Sequence, residues 1–87
     1  MNAKEALENE MKASGLQGNV HGAEGYASCK TKMFGLIECV IRDGVATYAI
    51  HGPDSYVWRR SLMDAAKSYA LAMEHEARKI RSWLECR

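Results

Sequence analysis

The chain has 87 residues, enough for one domain with a single modest core. Apolar residues at 47% and charged residues at 26% are globular proportions and argue against a disordered chain. A net charge of +1 removes any bulk electrostatic drive toward nucleic acid or anionic membrane.

Residues 2–14 read as a short helix. Asn2 and Glu5 have capping-box spacing, and Glu5 and Glu8 suit the positive end of the helix dipole. Ala3, Leu7 and Met11 align at intervals of four, and Gly15 is a natural C-terminal stop. So narrow a stripe predicts a helix that adds little stability and leans on the sheet or on a partner. Residues 15–25 contain Gly15, Gly18, Gly22 and Gly25 and few large apolar groups, which predicts a loop or a frayed strand entry.

Residues 26–34 alternate, with Ala27, Cys29 and Met33 on one face and Ser28, Lys30 and Lys32 on the other. This predicts a strand, with Gly35 marking a bend or bulge before the next. One long strand over residues 32–42, kinked at Gly35, is the alternative. Asp43-Gly44 between two alternating runs is a strong hairpin signal, because a type I′ turn needs positive φ at both central positions. That turn sets Arg42 opposite Val45, Ile41 opposite Ala46, Cys39 opposite Tyr48 and Ile37 opposite Ile50. The last six of these share an almost wholly apolar face. Leu36, Glu38, Val40, Arg42, Val45, Thr47 and Ala49 form a mixed one, as in a sheet covered on one side.

After Ile50, His51-Gly52-Pro53-Asp54 reads as a turn. The β-branched and aromatic content of Tyr56-Val57-Trp58-Arg59-Arg60 favours a last short strand over the first turns of a helix. Ser61 and Asp64 then have N-cap spacing. Leu62, Ala65, Ala66, Tyr69, Met73, Ala77, Ile80 and Leu84 recur at three and four, with Trp83 at the stripe's edge and charges mostly opposite. The expected fold is therefore α+β in a single domain over residues 1–87. It has a short N-terminal helix, a three- to four-stranded antiparallel meander with its hairpin at Asp43-Gly44, and a long C-terminal amphipathic helix packed on one face of the sheet.

Cys29, Cys39 and Cys86 are odd in number and widely spaced, which does not suit a disulfide framework and points to a reducing compartment. With no leader-like N-terminus and no apolar run near the ~20 residues that span a bilayer, the expected location is cytoplasmic, without a membrane partner. A zinc site from His21, Cys29, Cys39 and His51 lacks the paired spacing of structural zinc, so no metal or other cofactor is expected. Neither Cys29 nor Cys86 has the base and the lowered pKa of a nucleophile, and Glu5, Glu8 and Glu10 read as solvated helix charge. The glycine-rich run from Gly15 lacks the Gly-Lys-Ser/Thr ending of a phosphate loop. No catalytic residue is assigned, and a non-enzymatic protein is expected.

Charge is unevenly spread. Residues 1–25 carry two basic and four acidic side chains (−2), and residues 59–87 carry seven basic and four acidic (+3). The helix–strands–helix order, with Ala66-Lys67, Ala70 and Ala72 in the last helix, resembles the double-stranded RNA-binding domain. That family's lysine pair is replaced by Leu62 and Met63, and its groove-entering loop by Asp43-Gly44 alone. The resemblance implies phosphate contacts from the basic final helix. Trp, Tyr and Arg dominate interface hot spots, and residues 56–60 concentrate them. Tyr56, Trp58, Arg59 and Arg60, with Arg78 and Arg81 on the last helix, are the candidate partner-binding residues.

These features suggest a small interaction protein that inhibits by binding and occluding a larger protein or nucleoprotein complex. In general character it is similar to the phage-encoded anti-defence proteins, anti-CRISPR proteins among them. The alternative is a nucleic-acid-binding or regulatory module using the basic C-terminal helix. A homodimer formed through the mixed sheet face, an edge strand or the long helix is also compatible with the pattern.

Overall fold

A computed structural model describes residues 1–52 and 56–86. The chain is α+β, with helix α1 (Ala3–Ala13), strands β1 (His21–Gly22), β2 (Tyr26–Thr31), β3 (Gly35–Arg42) and β4 (Val45–Ile50), and helix α2 (Leu62–Glu85). The strands form one antiparallel sheet in the order β1-β2-β3-β4. The predicted register is observed: Arg42 pairs with Val45, Ile41 with Ala46, Cys39 with Tyr48 and Ile37 with Ile50. Asp43 and Gly44 take φ of 51° and 75°, the left-handed pair that a type I′ turn demands.

The strand expected over residues 26–34 stops at Thr31. The Thr31 hydroxyl donates to the Gly35 carbonyl (3.2 Å) and accepts from the Phe34 amide (3.1 Å). This closes a three-residue loop with Gly35 at φ 72°. Met33, expected on the inner face, is therefore in the turn and exposed. Residues 56–60 are not helical. Their extended path makes a single antiparallel bridge between Arg59 and Tyr48 (Tyr48 N to Arg59 O 2.6 Å, Arg59 N to Tyr48 O 2.8 Å). Pro53 and Asp54 of the predicted turn lie outside the described residues.

The core sits on the inner face of the sheet. Ala27, Cys29, Ile37, Cys39, Tyr48 and Ile50 are buried there against Ala3, Ala6, Leu7 and Met11 of α1 and Leu62 and Ala65 of α2. The expectation that α1 contributes little is corrected by this arrangement. The small side chains of Ala3 and Ala6 let the helix lie close to the sheet, so Leu7 and Met11 fill the middle of the core. The Asn2 carboxamide caps α1 by accepting from Glu5 N (2.8 Å), and Ala3 N ties the helix to Glu24 O (2.8 Å).

Helix α2 meets the sheet mainly at β4, through its first turns. The reason is length. Twenty-four residues at ~1.5 Å each make a rod of about 36 Å, whereas strands of six to eight residues span roughly 20–26 Å. With α1 occupying the rest of the inner face, the second half of α2 overhangs the body, and the molecule measures 52 × 25 × 18 Å.

The start of α2 is doubly capped. Ser61 Oγ accepts from Asp64 N (3.1 Å), and the Glu10 carboxylate accepts from Leu62 N (2.9 Å). Glu10, read from sequence as solvated charge, thus joins the two helices. Replacing Glu10 with alanine is expected to cost about 1 kcal/mol, as loss of a helix cap does, while Glu8→Ala on the exposed face costs under about 0.5 kcal/mol. Urea titrations of both variants followed by circular dichroism test the difference.

Candidate functional site

Antiparallel alternation places Glu38 and Val40 of β3 on the outer face, with Thr47 and Ala49 of β4 beside them. A lone carboxylate there should be solvated, yet Glu38 is only 6% exposed. It is enclosed by three donors. The hydroxyl of Tyr26 donates to Oε2 (2.5 Å), and the hydroxyl of Tyr56 donates to Oε1 (2.5 Å). His51 Nε2 reaches the same Oε1 (2.5 Å). An ionised carboxylate only accepts, so Nε2 carries a hydrogen in this arrangement.

Local structure explains each partner. Tyr26 pairs with Val40, which sets it diagonally beside Glu38. His51 follows directly on β4, with its amide donating to Leu36 O (3.2 Å). Tyr56 is brought back over the sheet by the path that ends in the Arg59–Tyr48 bridge. Its ring packs on His51 (centroids 4.3 Å apart) and edge-on to Trp58 (5.2 Å, 76°).

Burial alone would push the Glu38 carboxyl up. The hydrogen bonds from Tyr26, Tyr56 and His51, with the His51 charge, outweigh it and hold the group below the ordinary carboxylate value. Reciprocally, the hydrogen bond to Glu38 raises the Tyr26 phenol. Burial, followed by the Glu38 hydrogen bond, raises that of Tyr56. The cluster is a stable proton arrangement near neutrality: one anion and two neutral phenols. It acts as a clasp that holds His51 and Tyr56 against the sheet.

Beside the clasp, Val40, Arg42, Thr47 and Trp58 line a groove of about 230 Å³. That is below the roughly 300–1,000 Å³ of small-molecule pockets and suits one or two side chains of a partner. Burial pushes the Cys39 thiol up to about 11, with the Glu10 charge adding to it, and burial also raises Cys29. Both sulfurs are therefore held away from the thiolate form. Cys29 and Cys39 are buried on the inner face, whereas His51 is engaged with Glu38 on the outer face, so the four residues weighed as zinc ligands do not converge. Among the described residues no group of three histidine, cysteine or acidic side chains is placed to hold a metal ion.

The six candidate partner-binding residues fall into two groups. Tyr56 and Trp58 lie on the outer face. Arg59 follows, with Nε donating to Ser68 Oγ of α2 (3.1 Å), and Arg60 is exposed at the start of the helix. Arg78 and Arg81 are exposed on the overhanging half of α2, about 25–30 Å further along its axis. Sequence reasoning missed Glu38, Tyr26 and His51. The available signal was an acidic residue in mid-strand with apolar neighbours, Ile37 and Cys39, on either side.

Fold and site together define a small α+β domain with a roofed inner face, an aromatic–basic outer face and a projecting amphipathic helix. Comparison with protein-family models, curated proteins and solved structures finds no match to this chain. Among the described residues no helix is long and apolar enough to cross a membrane.

Proposed function

We propose that this protein is a non-enzymatic binding module of the cytoplasm that docks its outer face on a larger protein or nucleoprotein complex and inhibits it by occlusion. The observation that carries this reading is the clasp. Three side chains converge on Glu38, and the result is a fixed display of Tyr56 and Trp58, with Arg42 beside Trp58 in the groove. Aromatic and arginine side chains on a rigid support are what interface hot spots are made of, because little ordering entropy remains to be lost on binding. The pattern suits steric blocking better than mimicry of DNA, which needs a strongly acidic surface. A phage-type anti-defence protein fits this general character.

Affinity capture from bacterial lysate, with Trp58→Ala and Arg60→Ala as paired controls, tests the reading. The wild type is expected to retain a stoichiometric protein partner. Trp58→Ala is expected to weaken capture by roughly thirtyfold, the loss typical of a hot-spot residue. Equal capture by both variants and the wild type would exclude this face. Salt-sensitive retention of nucleic acid that survives Trp58→Ala but is lost in Arg78→Ala/Arg81→Ala would instead assign the function to the basic helix.

A further inference from the structure

The overhanging half of α2 carries its own message. The helix face that rests on the body through Leu62, Ala65, Ala66 and Tyr69 continues past the body through Met73, Ala77, Ile80 and Leu84. Met73, Ile80 and Leu84 are 43%, 52% and 57% exposed. Met73, Ala77, Ile80 and Leu84 follow one another at four, three and four, the spacing of a helix–helix seam. The opposite side carries His75, Arg78, Ser82 and Glu85. We infer that this segment pairs antiparallel with the same segment of a second copy of the chain, about a two-fold axis crossing the helices between residues 77 and 80.

The seam is self-complementary in that direction. Reversing one copy sets Met73 against Leu84 of the other and Ala77 against Ile80, and the two-fold axis repeats both layers. All four positions are used, with a small side chain facing a medium one at the crossing. The flanks agree. In an antiparallel pair, residues on one flank meet the same flank of the partner. Glu74 and Arg81 lie on one flank and Glu76 and Lys79 on the other. Antiparallel pairing therefore brings Glu74 beside Arg81 of the second copy, while Glu76, paired with Lys79 of its own helix (3.6 Å), meets the same ion pair of the partner. Parallel pairing meets opposite flanks and sets Glu74 beside Glu76 and Arg81 beside Lys79, which is repulsive on both sides. It would also force two bodies about 25 Å wide together at one end of helices that pack 8–10 Å apart.

The area is sufficient. Half-exposed side chains of this size leave on the order of 100 Å² each. Two copies of the seam with their flanks then reach roughly 1,000 Å², the lower bound for a specific interface. The dimer leaves both outer faces clear, so it does not depend on the occlusion reading.

Sedimentation equilibrium of the full chain from about 1 to several hundred micromolar tests the inference. A monomer–dimer equilibrium is expected, and the dimer is lost in Ile80→Glu while the circular dichroism spectrum is kept, since Ile80 lies outside the core. Glu74→Arg alone is expected to weaken dimerisation by roughly tenfold, as is Arg81→Glu, and the double exchange to restore it. A monomer at every concentration would overturn the inference, as would a dimer that survives Ile80→Glu or one that Glu74→Arg strengthens. A monomer whose helix binds lipid vesicles would assign the stripe to a membrane surface instead.

Discussion

Leu7→Ala is expected to destabilise the protein by about 3 kcal/mol, which raises the unfolded fraction by roughly a hundredfold. Leu7 is fully buried, on a helix whose sequence suggested a marginal role. Truncating a buried leucine removes its transfer free energy and leaves a cavity, with costs of roughly 2–5 kcal/mol. A domain of this size starts near the lower end of the usual ~5–15 kcal/mol. Leu84→Ala is the matched control. The same chemical change on the overhanging end of α2, at 57% exposure, should cost under about 0.5 kcal/mol in dilute monomer. Urea titrations of the two variants side by side decide the matter. If Leu84→Ala were the more damaging, α2 rather than α1 would be the roof of the sheet.

Removing the Glu38 side chain should release the clasp. Glu38→Ala is expected to cost about 1–2 kcal/mol, in the lower part of the range for orphaned donors. Tyr26 and Tyr56 are nearly half exposed and can turn to water. Trp58 emission should move to the red as Tyr56, on which its ring packs, loosens. The pH dependence has a definite sign. Glu38 has a folded-state value below its unfolded one, so its contribution is present above the unfolded value near 4.5 and is lost as pH falls through the folded value. The stability gap between wild type and Glu38→Ala should therefore be largest near neutral pH and close in acid, once pH has fallen below the folded-state value. At the alkaline end, Tyr26 and Tyr56 should ionise at lower pH in the variant, because the carboxylate that raises both is gone. Absorbance at the tyrosinate band reads this directly. A gap that persists unchanged in acid would mean that Glu38 acts through packing and not through its charge.

Local rules make several features legible in the sequence alone. The Asp43-Gly44 turn, the strand register it imposes, and the caps at Asn2 and Ser61 all depend on neighbours within a few residues, and period-two alternation assigned Ile37, Cys39 and Ile50 to the interior. One tertiary fact was open to arithmetic alone: a helix of about 36 Å cannot be covered by strands of roughly 20–26 Å, so part of its stripe had to overhang.

Other features had no local signature. Glu38, Tyr26, His51 and Tyr56 come from three separate stretches, and a carboxylate on a mixed sheet face looks solvated until His51 and Tyr56 close over it. Nor does the narrow stripe of α1 show that Ala3 and Ala6 would bring the helix close enough to fill the core. Composition, turns, caps and register thus determined the elements and which strand face turns inward, because those choices are made between adjacent residues. Which helix roofs the sheet, what surrounds Glu38 and how much of α2 is left bare were decided only by the competition of distant segments for one small surface.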